Sequence, residues 1–222
     1  SNYPWNHAVG LEFFKMMQSI RPETLCIMGG SNIPHQPNLQ AEFLKSRPMI
    51  DAYVYLEGEM GFSNIVDRIL QQNGSESERA WLDGDPIAGC LFFNTGGHFI
   101  QGPVVPRLKA LDEFPSPYLT GLMDKFFDGK LTPMMETNRG CPFSCTFCHE
   151  GHDIYRKVNF FSMERVEAEL EYIGTRVPST IHNLMFCDPN FGMYNRDLEI
   201  CKAIVPIQAK TGWPTDIVAS TG

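Results

Sequence analysis

Three cysteines crowd into one stretch of ten residues, Arg139-Gly140-Cys141-Pro142-Phe143-Ser144-Cys145-Thr146-Phe147-Cys148. Their spacing is C-x3-C-x2-C. Three thiolates on one short loop can take three corners of an iron–sulfur cube. No fourth cysteine lies at a ligand-like interval, so one iron would stay open, as the fourth position of a catalytic zinc site does. Gly140 and Pro142 suit a tight wrap, and the loop's backbone N–H groups can donate to sulfides. Two blander readings stay open. His149 and His152 follow at once and would allow a Cys3His zinc site, although zinc prefers two C-x2-C pairs or Cys/His pairs. Alternatively, the thiols are free and the histidines are ordinary loop residues.

The other four cysteines, Cys26, Cys90, Cys187 and Cys201, stand apart. An odd total of seven without even spacing does not read as a secreted disulfide framework. A reducing cytoplasm is the expected compartment. Lys and Arg number 18 against 26 Asp and Glu, a formal net charge of −8. That balance argues against nucleic acid and anionic membrane surfaces as partners. The longest uncharged run, 86–106, is broken by glycines and prolines and cannot span a membrane. No signal peptide opens the chain.

The elements that must carry the loop alternate in type. Asn6 is placed to cap a helix to about Ile20, with Val9, Phe13, Met16, Met17 and Ile20 on its apolar face. A short strand over Thr24–Met28 closes on Gly29-Gly30. A helix follows near Leu39–Leu44, a strand over Ile50–Leu56, and a helix over Phe62–Leu70. The segment 71–79 is polar and expected to be exposed. Ile87–Phe93 and His98–Gln101 around Gly96-Gly97 read as a hairpin. The stretch 113–130, with the prolines that precede it, reads as an extended linker. Thr132–Thr137 is then a strand with the cysteine loop behind it, at the carboxyl end of a parallel sheet, where α/β active sites gather. Ser162 caps a helix to about Ile173. Ile181–Cys187 is a strand, Asn195 opens a helix with Leu198, Cys201, Ile204 and Val205 inward and a kink or end at Pro206, and Asp216–Ala219 is a third strand. The chain therefore divides into 1–112, a linker and 131–222. Both ends are abrupt, which suggests the middle piece of a longer protein.

RGCPFSCTFC behind a strand resembles the signature loop of the radical S-adenosylmethionine enzymes. The resemblance implies that Cys141, Cys145 and Cys148 ligate a 4Fe–4S cluster whose fourth iron binds S-adenosylmethionine, with Phe147 packed beside the adenine. It implies a partial (β/α)6 barrel, of which 131–222 would be the first half, and an external reductant such as a flavodoxin or ferredoxin. Phe186-Cys187-Asp188-Pro189-Asn190-Phe191 stands where many members carry Gly-Gly-Glu. It resembles the Asp-x-x-Phe variant of members with an amino-terminal cobalamin-type domain, so Asp188 and Asn190 would meet the cofactor's ammonium or the substrate. A helix-preceding Asp/Asn turn is the competing reading. Glu136, Arg156 and Ser162 also resemble family positions. Residues 1–112 resemble the carboxyl-terminal part of a cobalamin-binding Rossmann-like domain: Ser1 and Tyr3 match a Ser-x-Leu-like turn, Gly29-Gly30 the diglycine beside the nucleotide tail, and Leu56-Glu57-Gly58-Glu59 a Gly-Glu-Gly-Glu turn. The expectation is an α/β protein that cleaves S-adenosylmethionine reductively to a 5′-deoxyadenosyl radical acting on a small-molecule or peptide substrate. With cobalamin bound, methyl transfer or rearrangement would follow. The same chemistry without cobalamin, and a zinc or redox module, are the alternatives.

Overall fold

The computed structural model describes residues 2–72 and 79–221. The chain forms two compact units, Ser1–Arg107 and Leu108–Gly222.

The first unit contains α1 (His7–Ile20), β1 (Ile27–Gly29), α2 (Pro37–Lys45), β2 (Ala52–Val54), α3 (Gly58–Gln71), β3 (Cys90–Phe93) and β4 (Phe99–Gln101). The sheet order is β1-β2-β3-β4. β1 and β2 run parallel, with Ile27 opposite Ala52; β3 and β4 add an antiparallel hairpin. Strand alternation sorts β2 between two cores. Ala52 and Val54 join Ile65 of α3, Trp81, Leu82, Cys90 and Phe92 on one face. Tyr53 and Tyr55 join Met28, Leu44 of α2, Ile50 and Leu91 on the other, where Leu11 and Phe14 of α1 also pack. Helices thus cover both faces.

The face of α1 differs from expectation. Val9, Phe13, Met16 and Ile20 are exposed, Val9 by 71%. The inward side is Gly10, Leu11 and Phe14, and Gln18 donates to Met49 O at 3.2 Å. α1 is apolar on two sides, so periodicity alone does not choose between them. The segment 73–78, expected to be exposed, lies outside the described residues.

The second unit contains β5 (Met134–Met135), β6 (Asn138–Arg139), β7 (Asn159–Phe160), α4 (Met163–Gly174), β8 (Asn183–Phe186), α5 (Asn195–Thr211) and β9 (Asp216–Val218). β5, β8 and β9 form a parallel sheet in that order. α4 starts where Ser162 Oγ accepts from Arg165 N at 3.1 Å. Its Val166, Leu170 and Ile173 meet Ile200, Ile204 and Ile207 of α5 over Met135, Leu184 and Phe186. Leu198 and Val205 of α5, expected inward, are exposed, and the helix continues through Pro206 to a left-handed Gly212. The segment 113–130 packs onto this unit: Tyr118 is buried in its core, with Phe114, Met123 and Phe127 packed against it. Tyr118 Oη donates to Met134 O at 2.8 Å. Its prolines break helix and strand, but its apolar residues still need burial.

Candidate functional site

The cysteine loop leaves the parallel sheet after β5 and is fastened at its feet. β6 and β7 pair antiparallel, Asn138 opposite Phe160 and Arg139 opposite Asn159, so the intervening residues form a closed excursion. Gly140 turns the chain at φ +110, a region glycine enters without Cβ strain. Cys141 N donates to Tyr155 O at 2.9 Å, Cys148 N to Cys145 O at 3.1 Å, and Gly151 N to Cys148 O at 3.1 Å. A Cβ on Gly151 would stand 2.2 Å from Cys145 O. The loop is therefore wound directly onto the Cys145 peptide, a constraint carried by Gly151 that no spacing rule in the sequence pointed to.

All seven cysteines are free thiols. Cys141 is buried, while Cys145 and Cys148 are exposed. Among the described residues, no three His, Cys, Asp or Glu side chains gather tightly enough for a single metal ion. One zinc at about 2.3 Å from each sulfur would hold the sulfurs within about 4.6 Å of one another; a cube spreads its ligands more widely. His149 is turned toward Tyr155, Nε2 to Oη 3.1 Å, with ring centroids 5.1 Å apart. The donor set suits a thiolate-ligated cluster on one further ground. Asn190 Nδ2 donates to Cys141 Sγ at 3.1 Å in a buried setting. The Tyr194 hydroxyl is buried without a hydrogen-bond partner, and its pKa is pushed up first by burial, then by the charges of Cys141 and Asp197. A ligand sulfur that accepts an N–H donor is what cluster ligation uses.

Asp188 stands at the strand end where the cofactor role was expected, but its carboxylate is taken up by the chain itself. It is 1% exposed at the end of β8. Its Oδ1 accepts from Thr137 N at 2.7 Å and Asn138 N at 3.3 Å; its Oδ2 accepts from Asn138 Nδ2 at 2.9 Å and, by a short bond, from Thr137 Oγ1. Burial pushes its carboxyl up, and the Thr137 and Asn138 donors pull it partly back. A carboxylate so occupied ties β8 to the stem of the cysteine loop and offers no vacant oxygen to an ammonium. Phe147 lies at the loop tip, 91% exposed, against no buried partner. Glu136 pairs with Arg139 at 2.8 Å and Arg156 with Asp153 at 3.0 Å.

In the first unit, Ser1 lies outside the described residues. Tyr3 stacks on Trp5, centroids 4.6 Å apart, and its N–H donates to Asn6 Oδ1 at 2.8 Å. Gly30 has φ +127, and a Cβ there would meet Asn2 N at 2.6 Å. The small residue expected for a cofactor tail is thus already required by the chain's own Asn2 backbone. A Cβ on Gly29 would meet Val54 O at 3.0 Å. Around this turn a polar network closes. Tyr53 Oη donates to Gly30 O at 2.8 Å, Asn2 Nδ2 donates to Tyr53 Oη at 3.1 Å, and His7 Nδ1 meets Asn2 Oδ1 at 2.7 Å. Arg47 Nε donates to His7 Nε2 at 3.0 Å, so the His7 proton belongs on Nδ1. Burial and the Arg47 charge lower the His7 pKa. Leu56 holds φ +64 after β2, where the resembled turn has glycine.

No protein-family model matches the chain. The class comes from individual relatives. The chain is a homologue of the cobalamin-dependent radical S-adenosylmethionine methyltransferases and corresponds to a fragment of them. It is 30% identical over 220 residues to 2-(S-pantetheinyl)-carbapenam-3-carboxylate methyltransferase of Streptantibioticus cattleyicolor, covering 96% of this chain and 30% of that protein. It is 30% identical over 223 residues to the cobalamin-dependent radical SAM methyltransferase TokK of Streptomyces tokunonensis, covering 98% and 30%. Among solved structures, apo OxsB, a cobalamin-dependent S-adenosylmethionine radical enzyme, superposes with TM-score 0.64 at 19% identity over 97% of this chain and 29% of that one. TsrM of Kitasatospora setae gives TM-score 0.58 at 14% identity over 93% and 38%. The chain spans about 30% of the length of these two curated relatives. No helix among the described residues is long and apolar enough to cross a membrane.

Proposed function

We propose that the chain is part of a radical S-adenosylmethionine enzyme in which Cys141, Cys145 and Cys148 hold a 4Fe–4S cluster. The first unit would be the carboxyl-terminal part of a cobalamin-binding-type domain, and the second the opening βα units of a partial (β/α)6 barrel. The observation that carries this is the C-x3-C-x2-C loop itself: three free thiols hung from the carboxyl end of a parallel sheet, with an amide donor already on the buried one. When bound, cluster and S-adenosylmethionine would together supply an electron for C–S cleavage and a radical that takes hydrogen from substrate. The chain's own residues hold and orient. Gly140 and Gly151 wrap the loop, Asp188 fixes its stem, and the exposed Cys145 and Cys148 face outward to take a ligand. Phe147, exposed beside them, is the proposed adenine contact. A flavodoxin or ferredoxin is the proposed reductant. Methyl transfer is the proposed outcome, because the relatives are named as methyltransferases.

Anaerobic addition of iron and sulfide should give visible charge-transfer absorbance that dithionite bleaches. Cys145→Ala should abolish it; absorbance that survives this change rejects the ligand assignment. A second reading, the same chemistry without cobalamin, is favoured by one observation: the Gly30 cradle is filled by Asn2. Retention of cobalamin by the parent protein through gel filtration separates the two.

A further inference from the structure

We propose that Asn190 is a positioning residue that sets the reduction potential of the cluster through Cys141. This rests on the proposed function of the cysteine loop and extends it to a residue outside that loop.

The argument begins with what fixes Asn190. It lies between two anchored neighbours. Asp188 is bound by Thr137 and Asn138, and Phe191 donates its N–H to Ser220 O at 2.8 Å while its ring stacks on Phe186 with centroids 4.3 Å apart. Cys141 is fixed in turn by its N–H to Tyr155 O. Asn190 is 8% exposed and Cys141 7%. A buried carboxamide N–H requires an acceptor, and the acceptor here is the sulfur, 49 residues away in sequence, at 3.1 Å. A neutral thiol accepts weakly. A thiolate accepts strongly, because charge-assisted bonds are roughly twice as strong as neutral ones. The amide N–H therefore already stands against the sulfur that iron would take in the proposed cluster.

The electronic consequence has a definite sign. Reduction adds negative charge that the cluster shares with its sulfur ligands. An N–H donor to a ligand sulfur stabilises that charge and raises the potential. Asn190→Leu removes the donor, and Asn190→Asp replaces it with an acceptor of similar shape; both should lower the potential, Asp by more.

The test uses the full chain after anaerobic loading with iron and sulfide. Both variants should bind iron and sulfide in the ratio of the unsubstituted chain. Their clusters should be about tenfold harder to reduce, which is about 59 mV for a one-electron couple, and the electron paramagnetic resonance signal of the reduced cluster should change. Full iron content with an unchanged potential in both variants overturns the assignment. So does loss of iron from both, which would give Asn190 only a supporting part in the loop's fold. If the unsubstituted chain takes up no cluster, the proposed function falls and this inference with it.

Discussion

The diglycine turn of the first unit and the cysteine loop of the second both follow a parallel strand, yet they are closed in opposite ways. Gly30 is walled in by the backbone of Asn2, and Tyr53, Asn2, His7 and Arg47 form a hydrogen-bonded chain around it. The cysteine loop is held at its feet, through Cys141 and by backbone turns from Cys145 to Gly151, while the side chains of Cys145, Cys148 and Phe147 stand in solvent. The first region has satisfied its polar groups internally. The second has spent its internal bonds on shaping backbone and left its reactive atoms outward.

Thiol chemistry should show the largest contrast. Burial pushes Cys90 up to about 12, and it is fully buried. Cys145 and Cys148 are open to reagent where Cys90 is not, so they should alkylate with iodoacetamide about a thousandfold faster than Cys90. Peptide mass spectrometry over time reads this directly, and comparable rates would erase the distinction between the two regions.

Paired glycine substitutions come next. Gly30→Ala places a Cβ against Asn2 at an unfavourable φ and should cost about 3 kcal/mol of urea stability. Gly151→Ala meets a wall of similar tightness, but only the Cys145 peptide. It should change stability by less than about 1 kcal/mol while abolishing iron uptake. Equal losses of stability would show that the loop is as integral to its unit as the turn is.

A pH effect of similar size should separate the turn from its surroundings. Burial raises Tyr53 to about 12 from an ordinary value of 10. A raised folded-state pKa gives stability that is complete below pH 10 and disappears as pH rises through 12. At about 1.36 kcal/mol per unit this is roughly 2–3 kcal/mol. Tyr53→Phe should flatten that alkaline slope; an unaltered slope would assign it to another group.

Smaller again is the tie beneath the loop. Asp188→Asn turns an amide N–H toward the Thr137 or Asn138 donors and should cost about 2 kcal/mol, with iron uptake reduced and helix content unchanged by circular dichroism. An Asp188 variant of full stability would free that carboxylate for the cofactor role the sequence suggested.

Much of the scaffold was readable because its signals are local. The Ser162 cap, the strand alternation and the Gly96-Gly97 hairpin each depend on neighbours in sequence, and the proposed ligand role of the three cysteines rests on their spacing. Where the reading failed, the deciding partner was distant or one of two equivalent faces. Asp188 looked like a ligand because its type and strand-end position fit one; its partners Thr137 and Asn138 are about fifty residues away. Gly30 was expected beside a cofactor tail, and the neighbour that already requires a glycine there, Asn2, arrives from before α1. Val9, Phe13, Leu198 and Val205 are apolar residues on helices with more than one apolar side, so composition did not say which side the core would take.

The β6–β7 clasp has a consequence for how such a loop can change over time. With both feet stitched to one another, the span between them can lengthen, shorten or be rewritten without shifting the strands below. The sheet then acts as a socket, and the segment that carries the three thiols becomes an interchangeable fitting.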